Sequence, residues 1–341
     1  MICGNKNSVL AIFVFLSATF CFAETIVNGI ISQNTRWTVN ESPYILTNDL
    51  VIEPRALLVI EAGVEVLIEK PVKVPADIKQ VDNLDSFTVK INVYGALQAV
   101  GTPISPIVFR GKDVEDNYVH WYGILINSRK SQETNIAYAA ISSAANGITI
   151  NNGSPLIRNT LFEFNNVGLR IENRSDARVF HCVFAQNYLS GVRVLDSNPF
   201  IYNSILVNNN MTGLWGDKNT EIAFKNNLVF GNGKNFSDTD PRLGRNNKLN
   251  ANGDSTDFAG NLVMDPVFTE SFAAIEAAKK SSRKERSPLS LNIINEIKDA
   301  RYFLSPLSPC IDAGIGDKTF REVDNSLPDL GIWGGAENIK F

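Results

Sequence analysis

The chain has 341 residues, 44% of them apolar and 20% charged, with 32 Lys and Arg set against 36 Asp and Glu for a net charge of −4. That is ample material for a large core, and too little positive charge for a general binder of nucleic acid or anionic membrane. Two histidines and four cysteines with no paired spacing argue against a structural zinc site.

Residues 1–23 carry Lys6, an apolar run from Val9 to Phe22 and the small-residue junction Cys21-Phe22-Ala23, the pattern of a secretory signal peptide. Phe20 is too large for the position before a lipidated cysteine, so no lipid anchor is expected. A secreted, periplasmic or cell-surface location follows, and no later stretch is long enough to span a bilayer. Residues 24–48, around Trp37, show no repeat and read as an amino-terminal cap. From residue 49 short apolar runs begin, such as Leu50-Val51-Ile52-Glu53-Pro54 and Leu57-Leu58-Val59-Ile60-Glu61-Ala62-Gly63-Val64. Pro71 to Phe87 is polar and charged and reads as a loop bulging from one turn.

Past Trp121-Tyr122-Gly123-Ile124 one unit returns: Gly147-Ile148-Thr149-Ile150, Gly168-Leu169-Arg170-Ile171, Gly191-Val192-Arg193-Val194 and Gly213-Leu214-Trp215. The glycines from Gly123 onward are spaced 24, 21, 23 and 22 residues apart. Two further sets keep the period: Asn159, His181, Asn203 and Asn226, then Asn165, Asn187, Asn209 and Asn232. A unit this short holds two or three half-buried strands and no helix, and it cannot bury its apolar side alone. Units must therefore stack, each pairing its strands with the units on either side. The predicted fold is all-β, a single-domain parallel β-helix over residues 49–268 with about ten coils spaced about 4.8 Å apart. Asparagines at equivalent turns are expected to form hydrogen-bonded ladders, with His181 as a ladder member.

Residues 269–300 change character. Phe272 to Lys279 and Leu291 to Ile297 have helical spacing, joined by the basic run Lys279, Lys280, Arg283, Lys284 and Arg286, and read as a charged helical insertion. Residues 301–341 include Ser308-Pro309-Cys310-Ile311-Asp312-Ala313-Gly314 and Asp329-Leu330-Gly331-Ile332-Trp333-Gly334-Gly335 and read as a C-terminal cap, with Asp312 and Asp329 as turn residues. Cys182 and Cys310 would remain after signal removal. Cys182 aligns with Thr160 and Ser204 in a tight column, and whether it pairs with Cys310 stays open.

The order of motifs resembles the secreted bacterial right-handed parallel β-helix repeat proteins of the pectin-lyase-like superfamily. It runs from an apolar strand before an acidic Gly-Val turn through Gly95-Ala96-Leu97-Gln98-Ala99-Val100-Gly101-Thr102, Pro106-Ile107-Val108-Phe109 and Trp121-Tyr122-Gly123-Ile124 to the closing pair just quoted. The resemblance implies a right-handed winding, and it admits a polysaccharide lyase or epimerase acting on acidic glycans, with calcium in the lyase case.

Chemistry on such a wall must be sought down columns. Few carboxylates share one: Glu163 aligns with Ala185 and Val207, and Asp196 with Arg174 and Lys218, so no acid pair of the kind a glycosidase needs is forced. In the glycine unit the residue between two inward apolar ones faces out, giving Thr149, Arg170, Arg193 and Trp215. A second outward column, just before the Asn159 set, is Arg158, Phe180, Tyr202 and Lys225. Guanidiniums suit carboxylates or sulfates and rings suit sugar faces. The candidate ligand-binding residues are therefore Arg170, Arg193, Trp215, Arg158, Phe180, Tyr202 and Lys225, with no catalytic or metal set assigned. The reading is a secreted monomeric module, without cofactor, that binds polysaccharide or surface glycan. Acidic-glycan lyase or epimerase, and a structural or adhesive surface protein, are the alternatives.

Overall fold

In the computed structural model the described residues are 24–69, 89–112, 119–127, 133–217, 220–269, 302–316, 320–322 and 325–335. The expected signal peptide, the stretch from Pro71 to Phe87 expected as a loop and, apart from Thr269, the expected helical insertion lie outside them. The described chain winds through three parallel sheets. One sheet contains eight strands, from Thr35–Trp37 to Ala223–Lys225. The other two are joined into one 16-stranded sheet, because the long strand Tyr44–Ile52 pairs through Tyr44, Ile45 and Leu46 with Glu65–Ile68 and through Leu50, Val51 and Ile52 with Lys90–Val93. We call the ladder running from Glu65–Ile68 to Leu228–Phe230 the first sheet, the one from Lys90–Val93 to Lys234–Ser237 the second, and the eight-stranded one the third. Eight levels replace the ten expected, because the chain after Ser237 no longer adds full turns.

The stacking that the repeat required is present with its register. Leu169 pairs with Val192 and Val192 with Leu214, while Val179 pairs with Ile201 and Ile201 with Phe224. These, with Phe162 and Phe184 stacked at 4.8 Å between ring centroids, fill one continuous core. Each such side chain withdrawn from water stabilises the fold by roughly 1.5–3 kcal/mol. The glycine column follows from crowding. A Cβ on Gly168 would stand 2.6 Å from the carbonyl oxygen of Gly191 and 3.0 Å from the Phe184 ring, so no larger residue fits at that corner.

The two asparagine sets differ. Asn165, Asn187, Asn209 and Asn232 form a ladder, its first three members buried, with side-chain Nδ2 to Oδ1 distances of 3.2, 2.8 and 2.8 Å along it. Asn159, His181, Asn203 and Asn226 occupy left-handed corners (φ 45° to 54°), and mostly they bond something else: the C-terminal segment. Asn226 donates to the Ala313 carbonyl, Asn203 Oδ1 accepts from the Ile315 amide, and Asn159 donates to the carbonyls of Ile332 and Gly334.

The described residues between 302 and 335 therefore pack along the flank of the solenoid. Leu304, Cys310, Ala313, Leu330 and Ile332 cover the outward column Leu161, Val183, Ile205 and Leu228 of the first sheet. Phe236 and Leu243 pack against the core at the last coils. At the other end the winding starts before the expected boundary. Thr25–Ile31 runs parallel to Tyr44–Ile52, and Trp37 stacks on Tyr44 at 4.6 Å. Cys182 and Cys310 are free, buried thiols, Cys182 inside the tube and Cys310 in the flanking layer, so the open question of a bridge is answered in the negative.

Candidate ligand-binding surface

The second-sheet column forms as the alternation requires. Thr149 pairs with Arg170, Arg170 with Arg193 and Arg193 with Trp215, so consecutive rungs carry these side chains side by side. The Arg193 guanidinium lies over the Trp215 ring, 4.9 Å from its centroid. Arg170 Nε bonds Glu172 Oε2 at 2.7 Å, a half-exposed pair that orients the side chain more than it stabilises the fold. Thr149 is buried, and the usable part of the column is Arg170, Arg193 and Trp215.

The other column stands on the third sheet. Arg158 is only 6% exposed, lies 5.1 Å over the Tyr138 ring and donates to Asn159 Oδ1 at 3.3 Å. Phe180 is 3% exposed because Phe320 of the flanking segment closes over it edge-on at 5.0 Å. Tyr202 is half-buried, which pushes its hydroxyl up from the ordinary tyrosine value, and Lys225 is exposed. Beside them Phe200 stands exposed, edge-on to Tyr202 at 6.1 Å, with Arg178 on the rung before it. Those two were missed, although the triplets Arg178-Val179-Phe180 and Phe200-Ile201-Tyr202 show that both neighbours of an inward residue must face out.

His181 is completely buried. Its Nδ1 lies 3.1 Å from the Asp329 carbonyl, its Nε2 lies 3.2 Å from Asn203 Nδ2, and burial drives its pKa down to about 3. Gly334 and Gly335 lie flat against the imidazole, where a Cβ on Gly335 would meet Nε2 at 2.7 Å. The ring is a packing surface, sealed from any ligand. Asp329 Oδ1 accepts from the backbone amide of Asp312, which turns at φ 53°, at 2.9 Å, so the Asp329 carboxylate ties two stretches of the flanking segment together. Cys182, raised to about 12 by burial, is no nucleophile at neutral pH. Among the described residues no three His, Cys, Asp or Glu side chains converge as metal ligands would. None of the described helices is long and apolar enough to cross a membrane.

Residues 105–263 match the family model described as the right handed beta helix region. The strand order is that of a parallel β-helix, and the matched stretch, just under half of the chain, is similar to that family's repeat. No curated protein sequence matches the chain. Among solved structures, the crystal structure of the periplasmic alginate epimerase AlgG is similar over 70% of this chain and 69% of that one, at 14% identity and a TM-score of 0.34. A likeness of that degree carries no argument about a site or an activity.

Proposed function

We propose that the protein is an extracellular or periplasmic module that binds acidic polysaccharide or surface glycan through Arg170, Arg193 and Trp215, without turning it over. The observation that carries this is the Arg193 guanidinium laid 4.9 Å above the Trp215 ring with Arg170 on the adjoining rung. A guanidinium held flat presents donors in a fixed plane to carboxylate or sulfate, and it loses little further freedom on binding. Rungs about 4.8 Å apart place two such cations close to the repeat of a sugar chain. The same cations would serve a lyase or epimerase. Proton abstraction there would need a base, and His181 is walled off beneath Gly334 and Gly335.

Electrophoresis through gels containing polyuronates tests the reading. Retardation is expected that weakens with salt, and that Arg193→Ala or Trp215→Ala reduces about tenfold or more. Growth of the ultraviolet absorbance of unsaturated uronate ends would replace the module with a lyase. Retardation equal in both variants and the parent chain would remove this column as the site.

A further inference from the structure

A second surface lies at the corner where the first sheet turns into the second. An open groove of about 460 Å³ is lined there by Phe164, Asn166, Gln186, Tyr188, Asn208 and Asn210, together with the ladder residues Asn165 and Asn187. Asn166, Tyr188 and Asn210 each follow a ladder asparagine directly. They stand on three consecutive rungs, through Tyr188 N to Asn165 O at 2.7 Å and Asn210 N to Asn187 O at 2.9 Å. The buried ladder fixes those rungs, so an aromatic ring flanked by two amides is presented in a rigid row. Tyr188 is 64% exposed, and among the described residues nothing pairs its hydroxyl or its ring, nor the Asn166 and Asn210 side chains. Gln186 Nε2 donates to Tyr302 Oη at 3.2 Å, which ties one wall to the flanking segment.

We propose that this groove binds an uncharged polysaccharide, with a pyranose ring stacked on Tyr188 and its hydroxyls bonded by Asn166 and Asn210. Among the described residues no carboxylate, ammonium or guanidinium lines the groove, so they offer nothing to an ionic ligand and do not penalise a neutral one for lost ion hydration. Amides both donate and accept, as vicinal hydroxyls require, and the tyrosine ring offers a π-face to the C–H face of a sugar. The groove is open and crosses three rungs, which suits a chain better than a compact molecule. This site is independent of the arginine column.

The test is affinity electrophoresis on a soluble β-glucan, a mannan and a dextran, each free of carboxylate and sulfate, at low salt and in 1 M salt. At least one is expected to retard the protein equally at both ionic strengths, because no charge is involved. Tyr188→Ala is expected to weaken that retardation about tenfold, Tyr188→Phe to leave it within about twofold, and Arg193→Ala to leave it unchanged. Asn210→Ala, also exposed, is the second probe and is expected to weaken it severalfold. The proposal is overturned if none of the three polymers binds, or if Tyr188→Ala and Asn210→Ala both bind as the parent does. Salt-sensitive retardation on polyuronates, read in parallel, reports the arginine column separately.

Discussion

Asn187→Ala tests whether the buried ladder holds the coils together. The Asn187 amide donates to the Phe162 carbonyl at 3.1 Å and to Asn209 Oδ1 at 2.8 Å, and its Oδ1 accepts from the backbone and side-chain nitrogens of Asn165 at 3.1 and 3.2 Å. Truncation strands one buried backbone group, the Asn165 N–H, removes a bond that the Phe162 carbonyl accepts beyond its strand pairing, and leaves two neighbouring amides half-bonded. At roughly 1–3 kcal/mol for the orphaned donor and about 1 kcal/mol for the bonds the amides lose, the loss is about 3 kcal/mol, or on the order of 6 °C in Tm. Asn187→Asp should cost more, because it sets an acceptor against the Phe162 carbonyl and Asn209 Oδ1. Asn151→Ala is the control. It breaks the same kind of rung-to-rung contact, to Asn127 at 2.9 Å and Asn173 at 2.8 Å, near the surface where water can substitute, and should cost about 1 kcal/mol or less. Denaturant titration of the three variants decides. An Asn187→Ala loss no larger than that of Asn151→Ala, or an Asn187→Asp protein as stable as Asn187→Ala, would refute the argument.

Two further outcomes concern the flanking segment. His181 is held neutral by burial, with its pKa lowered from 6.5 to about 3, so the unfolded chain takes up a proton that the folded one refuses as pH falls below 6.5. Stability should drop across pH 6.5 to 3, by at most on the order of 4 kcal/mol. His181→Asn, which suits the left-handed corner, should decline less between pH 7 and pH 4 in chemical denaturation, and parallel declines would count against the assignment. Gly335→Ala places a Cβ 2.7 Å from the imidazole at φ +83° and should lift the segment locally. Hydrogen exchange of residues 302–335 should accelerate while the β content of the coils stays intact, and unchanged protection would show that the glycine is not required there.

The rungs were legible because a covalent period and a geometric period are the same quantity in a solenoid. Once Gly168 and Gly191 are known to stack, Arg170 beside Arg193 and Asn187 above Asn165 follow by counting. Counting says nothing about what else leans on the wall. The Asn159, His181, Asn203 and Asn226 column shares the period of the buried ladder, and on spacing alone the two are alike. They part because one is enclosed between two sheets, whereas the other sits on an outer corner where the last stretch of chain supplies backbone partners. The signal for that covering was present but unused. Leu161-Phe162, Val183-Phe184-Ala185, Ile205-Leu206-Val207 and Leu228-Val229-Phe230 are continuous apolar runs, and a strand that is apolar on both faces is buried on both. With one face turned to the core, the other demanded a cover, and among the described residues the glycine-rich end supplies much of it. Its cysteine and aspartates belong to the cover, and the burial of Arg158 and Phe180 beneath or beside it follows from the same contact. Outward position in a strand is therefore necessary for a ligand column and not sufficient. Among the described residues Arg170, Arg193 and Trp215 meet the second requirement, because their sheet carries polar outward neighbours such as Glu172 rather than an apolar column that demands a cover, and this is why the proposed function is placed there.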